Sequence, residues 1–172
     1  MVIGKGDIAT ALIDREDIIF FASGVSDSSE NRKSQFVREM KLLLSQPKDL
    51  HLVYFSSLSI YYSDSFYARH KKVMETAVRQ NFPSYTIVRL GNIDWGHNPT
   101  TWINYITNHK DAVIQNVWRH VVSYDEFQYW MNYIQVNTRN EMNVPGKMVW
   151  VPDYFRDRKV LITEQNKDWF KV

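Results

Sequence analysis

The chain has 172 residues, of which 44% are hydrophobic and 23% charged, with a net charge of +2 and no cysteine. That length is a usual single-domain size, and the apolar content supports a packed core and argues against disorder. Without cysteine there is no disulfide framework, thiol nucleophile or thiolate-ligated metal, and a mild positive charge with no basic stripe does not point to nucleic acid.

In chain order, Met1-Val-Ile-Gly4-Lys-Gly6-Asp-Ile-Ala9 reads as a short strand entering a helix through a Gly-x-Gly-x-x-Ala turn. In a phosphate-binding turn the first glycine permits the bend, the second lets the backbone approach a pyrophosphate, and the small third residue allows close helix packing. Helix N-terminal amides then face the anion. Taken alone, the motif fits an ordinary strand-to-helix turn about as well. Asp17-Ile-Ile-Phe-Phe-Ala22 reads as a second strand, followed by Ser23-Gly24, the polar loop Asp27-Ser-Ser-Glu-Asn-Arg32 and a helix from Ser34 to Leu44. His51-Leu-Val-Tyr-Phe55 has the continuous apolar character of a buried parallel strand, and Ser56-Ser57-Leu-Ser59-Ile-Tyr61 follows it. Those hydroxyls stand at the strand's C-terminal end, where open α/β sheets bind ligands.

The segment Ser65-Phe-Tyr67-Ala-Arg-His-Lys71-Lys-Val-Met-Glu75 reads as a helix. Residues at i and i+4 share a helix face, so Tyr67 and Lys71 form a phenol and ammonium pair. At about 4 Å and an effective dielectric of about 20 their attraction is on the order of 4 kcal/mol, before desolvation of the lysine opposes it. A cation so placed favours the phenolate and fits the tyrosine for general acid/base work. The spacing alone arises roughly 0.6 times by chance in such a chain, so its context carries the weight. Downstream, Tyr85-Thr-Ile-Val-Arg-Leu90 is another strand, running into Gly91-Asn92-Ile-Asp-Trp-Gly96. After Asn98-Pro99, two amphipathic helices are predicted, Thr101 to Asn108 and Ser123 to Ile134, the second with Ser123 and Glu126 as a capping box. Gly146-Lys-Met-Val-Trp-Val151 reads as a later strand.

This set resembles the short-chain dehydrogenase/reductase superfamily, above all its extended branch that epimerises, dehydrates or reduces nucleotide-linked sugars. The resemblance implies a Rossmann-like α/β fold with a mainly parallel sheet, and NAD or NADP as cofactor. It implies a cofactor site at Gly4, Lys5, Gly6, Asp7, Ile8, Ala22, Ser23, Gly24, Lys71 and Asn92. Ser57, Tyr67 and Lys71 match the catalytic set, and Glu75 occupies a helical place the family often fills with glutamate. The stretch from Arg89 through Asn92 to Gly96 resembles the family's Arg-x-x-Asn-x-Tyr-Gly segment, and Arg119-His-Val-Val-Ser-Tyr-Asp125 the element opening a helix of the substrate-binding part. Ser57, Asn92 and Arg119 are therefore expected at the substrate, a small molecule of nucleotide-sugar type.

Two departures stand out. The family's usual second and third strands and the helix between them are missing, because almost nothing separates Leu12 from Ile18. That piece carries the residue, about twenty positions after the glycines, that holds the adenosine ribose and chooses between NAD and NADP. Gln35 also stands where the family tends to place an asparagine. With the first and fourth family strands joined directly, the first helix moves to the opposite sheet face and the switch-point crevice is lost, or the old arrangement persists, or a partner chain covers the exposed first strand. A bare parallel edge invites pairing, so a homo-oligomer is expected.

The reading is of one domain over residues 1–172 with a substrate-binding portion from about residue 97 onward. The basic clusters Arg69-His-Lys-Lys72 and Arg156-Asp-Arg-Lys159 read as solvated faces. No apolar run approaches the ~20 residues that span a bilayer and no signal-like start is present, so no membrane partner and a cytoplasmic location are expected. No metal site is expected, since the histidines lack ligand spacing. The rival to an enzyme is a non-catalytic Rossmann-like module that binds a nucleotide or a partner protein.

Overall fold

The computed structural model describes residues 1–109 and 111–156. The chain runs through β1 (Val2–Ile3), α1 (Asp7–Thr10), β2 (Ile18–Phe21), α2 (Lys33–Leu44), β3 (His51–Ser57), a 3₁₀ turn (Leu58–Tyr61), α3 (Phe66–Asn81) and β4 (Tyr85–Leu90). It continues through β5 (Asn92–Ile93), α4 (Trp102–Asn108), β6 (Trp118–Val122), α5 (Tyr124–Asn132), β7 (Arg139–Val144), β8 (Lys147–Trp150) and α6 (Val151–Arg156).

The main sheet has five strands in the order β1-β2-β3-β4-β7, each parallel to its neighbours. β2 and β4 are buried throughout because helices cover both sheet faces, and β2 accordingly reads as an unbroken apolar run. Alternate side chains feed two cores. Phe20, Val53, Phe55, Val88 and Leu90 meet Phe127 and Met131 of α5. Phe21, Leu52, Tyr54 and Ile87 meet Leu43 of α2 and Met74 and Val78 of α3 on the other face. Fold class is thus as expected, a mostly parallel Rossmann-like α/β sheet.

Ile8 and Ala11, at and just beyond α1, belong to the α5 core rather than to the α2 and α3 core. The α1 and α2 connections advance in the same direction across the sheet but pass over opposite faces, so they have opposite hands. α1 thus shares its face with α5 of the β4-to-β7 connection, opposite to α2 and α3. The older arrangement has persisted. Loops after β1 and β2 diverge to opposite faces and leave a crevice at the strands' C-terminal ends, the topological requirement for a binding site.

Residues 11–17 turn back to the opposite end of the sheet. The Met1 ammonium donates to Arg15 O at 2.6 Å and Ile18 O at 2.5 Å and pairs with Asp14 at 2.8 Å. Among the described residues β1 pairs with β2 alone and is the outer strand of the sheet.

A second sheet, β5-β6-β8, sits beside the first, with β6 parallel to β5 and antiparallel to β8. Val121 of this sheet packs with Ile103 and Ile106 of α4 and Val151 and Phe155 of α6. Arg119 lies within β6, and the following helix begins at Tyr124 with the expected cap, Ser123 Oγ accepting from Glu126 N at 3.2 Å. β7 was not legible because Arg139–Val144 is a polar, largely exposed edge strand. Among the described residues no helix is long and apolar enough to cross a membrane.

Candidate active site

A cleft of about 740 Å³ opens at the C-terminal ends of the main strands. Lys5 to Ile8 line it after β1, Ala22 to Ser26 after β2, Ser56, Ser57 and Ser59 around the end of β3, and Gly91 and Asn92 after β4. Tyr67 and Lys71 of α3 form its floor, and Thr101, Trp102 and Arg119 its far wall. Of the residues expected at cofactor or substrate, all but Gly4 line this one cavity.

Ser57 is placed by the end of β3, where its Oγ accepts from Ser59 N at 3.2 Å and starts the 3₁₀ turn. Tyr67 and Lys71 fall on the inner side of α3, an alignment set by the Ser65 cap accepting from Ala68 N at 3.2 Å. Tyr67 is 9% exposed. Lys71 is 2% exposed, and its ammonium lies 5.7 Å from the centre of the Tyr67 ring.

The Lys71 ammonium is committed elsewhere. It donates to Glu39 Oε1 and to Tyr54 Oη, each at 3.1 Å. Glu39 is fully buried and also accepts from Tyr54 Oη at 2.8 Å, from Val25 N at 2.7 Å and through a 2.9 Å bond with His70 Nε2. Burial alone would raise the Glu39 pKa, but the Lys71 charge, His70 and Val25 N outweigh it and hold the carboxyl well below the usual range. Burial and the Glu39 charge together push the Tyr54 phenol up. The cation that sequence spacing aimed at Tyr67 thus faces a carboxylate. The Arg69-His-Lys-Lys72 cluster is accordingly no solvated face, since His70 and Lys71 are buried while Arg69 is exposed and pairs with Asp64. Of the second basic cluster, residues 157–159 lie outside the described residues.

The two turn glycines have different reasons. Gly4 has φ +137°, and a Cβ there would stand 2.5 Å from Ala22 O. Gly24 leaves room for the ion pair, because a Cβ would stand 2.8 Å from both Glu39 Oε1 and Lys71 Nζ. Asp7 departs from a simple cofactor contact. Its carboxylate accepts from His97 N and Asn98 N, each at 3.0 Å, and so ties the turn to residues 95–98 across the cleft mouth. α1 itself is only one turn long, so its dipole is slight.

On the other wall, Asn92 Nδ2 donates to His120 O at 2.9 Å, fastening β5 to β6. Arg119 stacks its guanidinium 5.2 Å from the Trp102 ring centre and donates to Gln115 Oε1, while its Nε is buried with no partner among the described residues. Burial pulls the Arg119 pKa down against a smaller upward pull from Tyr62. No carboxylate among the described residues pairs with it, which leaves a desolvated cation facing the cavity.

Behind the cleft, Arg89 is buried by a bidentate pair to Glu75, Nε to Oε1 at 2.8 Å and an η-nitrogen to Oε2 at 2.7 Å. Glu75 also accepts from Ser56 Oγ at 2.7 Å, and Arg89 reaches Glu141 of β7 and the Tyr61 hydroxyl. This network locks β3, α3, β4 and β7 together, and it raises the Arg89 pKa through the Glu75 bonds. Sequence reasoning missed Glu39 and Tyr54. The one signal was a glutamate in line with Leu43 on the apolar side of α2, a place where carboxylates are rare unless paired.

No protein-family model matches the chain, and none of the curated proteins does. Solved structures do. A UDP-glucose 4-epimerase with UDP-glucose from Thermotoga maritima aligns at 15% identity and a TM-score of 0.60, over 81% of this chain and 59% of that one. A UDP-glucuronic acid 4-epimerase variant from Bacillus cereus, in complex with a fluorinated UDP-sugar and NAD, aligns at 12% identity and 0.62, over 81% and 57%. A thiolation-reductase di-domain from an archaeal non-ribosomal peptide synthetase aligns at 14% identity and 0.62, over 90% and 57%. The chain thus spans less than two thirds of each. At such identities the likeness is one of fold, that of the short-chain dehydrogenase/reductase-like epimerases and reductases.

Proposed function

We propose that the chain is an NAD(P)-dependent oxidoreductase or epimerase of short-chain dehydrogenase/reductase type, acting on a nucleotide-linked sugar. The observation that carries this reading is convergence. Ser57, Tyr67 and Lys71 meet Gly6, Asn92 and Arg119 in one cleft, although they come from elements spread from β1 to β6. The residues fit the nicotinamide end of such a cofactor, since the space in front of Gly6 is open and the cleft continues to Tyr67. Bound NAD(P) would supply the hydride acceptor or donor. Tyr67 would hold or move the proton at its hydroxyl oxygen, Ser57 would hydrogen-bond the reacting substrate oxygen, and Lys71 would anchor the ribose. Asn92 would orient the ligands, and the unpaired Arg119 would attract a negatively charged group of the substrate. Residues from about 97 onward form the substrate-binding portion, and a homo-oligomer in the cytoplasm is the accompanying expectation.

Calorimetric titration with NAD, NADH, NADP and NADPH tests the cofactor, followed by turnover of UDP-sugars. Tyr67→Phe is expected to bind cofactor normally and to lose about 10²- to 10⁴-fold in rate. Unchanged turnover in that variant refutes the assignment of Tyr67.

A second reading is favoured by the Lys71–Glu39 ion pair, which directs the ammonium away from Tyr67. In it the chain is a non-catalytic Rossmann-like nucleotide-binding or protein-interaction module. Ligand binding without turnover of any nucleotide sugar supports it.

A further inference from the structure

We infer that the cleft grips only the nicotinamide-ribose-phosphate half of a dinucleotide, and that the described residues of the chain offer the adenosine half no wall. This rests on the NAD(P) reading above and names the portion of the ligand that is recognised.

Gly6 is the first reason. Its backbone, φ −81° and ψ −176°, suits any residue, and an added Cβ would meet nothing within 4 Å. The fold therefore makes no demand for glycine at this position, in contrast to Gly4. What the missing side chain provides is open space in the cleft at the turn, wide enough for a phosphate to approach the backbone.

The second reason is where the cleft stops. Among the described residues β1 is the outer strand of its sheet, and no further strand lies beyond it. A dinucleotide with its nicotinamide near Tyr67 and its phosphates at Gly6 is laid across the strand ends toward β1. Its adenosine then passes beyond the last strand.

Third, the segment between α1 and β2, where the ribose-binding acidic residue would be sought, is committed to the opposite end of the sheet. Asp14 is bound to the Met1 ammonium at 2.8 Å and Asp17 to Arg15 at 2.8 Å, while Arg15 also donates to Ile134 O at 3.3 Å. An acidic residue holding the adenosine ribose belongs at the C-terminal end of the strand beside β1. Carboxylates exist in this segment, but Asp14 and Asp17 sit at the wrong end of the sheet.

The test is a fluorescence titration of the full chain with NADH and with reduced nicotinamide mononucleotide, repeated on Gly6→Val. The two dissociation constants are expected to agree within about threefold, and a hundredfold excess of AMP, roughly, to displace neither ligand. Gly6→Val should weaken both by about tenfold or more with an unchanged unfolding midpoint, since its side chain enters only open space. NADH binding about tenfold tighter than the mononucleotide overturns the inference and leaves the NAD(P) reading standing. Equal affinities unaffected by Gly6→Val also overturn it, by locating the ligand elsewhere. No binding of either ligand at millimolar concentration to folded protein overturns the inference together with the reading beneath it.

Discussion

Lys71 lies one turn from Tyr67 by helix geometry, yet its ammonium is shared by Glu39 and Tyr54. The i,i+4 relation is local and was legible in the sequence, whereas the Glu39 contact depends on how α2 packs against α3. Glu39→Gln should cost about 3–5 kcal/mol in urea unfolding at neutral pH, because it leaves a buried ammonium without its counter-charge. Combining Glu39→Leu with Lys71→Met should recover most of that loss, since no charge then remains buried. The pH dependence follows from the depressed native pKa of Glu39. Its stabilisation is fully present above the unfolded value of ~4.3 and disappears as pH falls through that value toward the native one. Glu141, held at about 2 chiefly by its Arg79 bond, adds to the same acid limb. Urea midpoints measured from pH 7 downward should therefore fall less steeply in Glu39→Gln than in the parent. Gly4→Ala should lose about 2 kcal/mol or more from the strained φ and the contact with Ala22 O, while Gly6→Ala should fall within about 1 kcal/mol of the parent.

Among the elements, α5 does most to close the sheet face that α1 is too short to cover. Phe127 is fully buried, with its ring 5.9 Å from Phe55 and 5.1 Å from Trp95. Phe127→Ala should cost about 3–5 kcal/mol, and Ser123→Ala, which removes the helix cap, about 1 kcal/mol. Denaturant unfolding separates the two. The span of α5 was nearly legible because its apolar stripe and cap are local signals. β6 and β7 were not, since one carries Arg119 and His120 and the other a polar run, and only partner strands make them sheet.

For the molecule as a whole, the decisive feature is the sheet face on which α1 lies. Had α1 joined α2 and α3 on their face, the loops after β1 and β2 would have run together and no crevice would separate Gly6 from Ser23. Instead the first turn retains a place opposite β2, and the cleft survives in a sheet that begins at β1. The same edge underlies the expected self-association. Sedimentation equilibrium should give a mass that is a multiple of the 20.5 kDa chain. A monomer at every concentration tested would mean that the short edge strand protects itself by its length alone.

Five strands, the long helices and the positions of Gly6, Ser57, Tyr67 and Asn92 could be read from periodicity and motif spacing, because these express backbone preferences within a few residues. That their side chains share one cavity, that Lys71 turns to Glu39, and that Arg89 is spent on Glu75 were decided by packing between segments far apart in the chain. Such contacts leave no periodic trace. A buried charge takes whichever counter-charge the folded chain brings within reach, and only the tertiary structure determines which one that is.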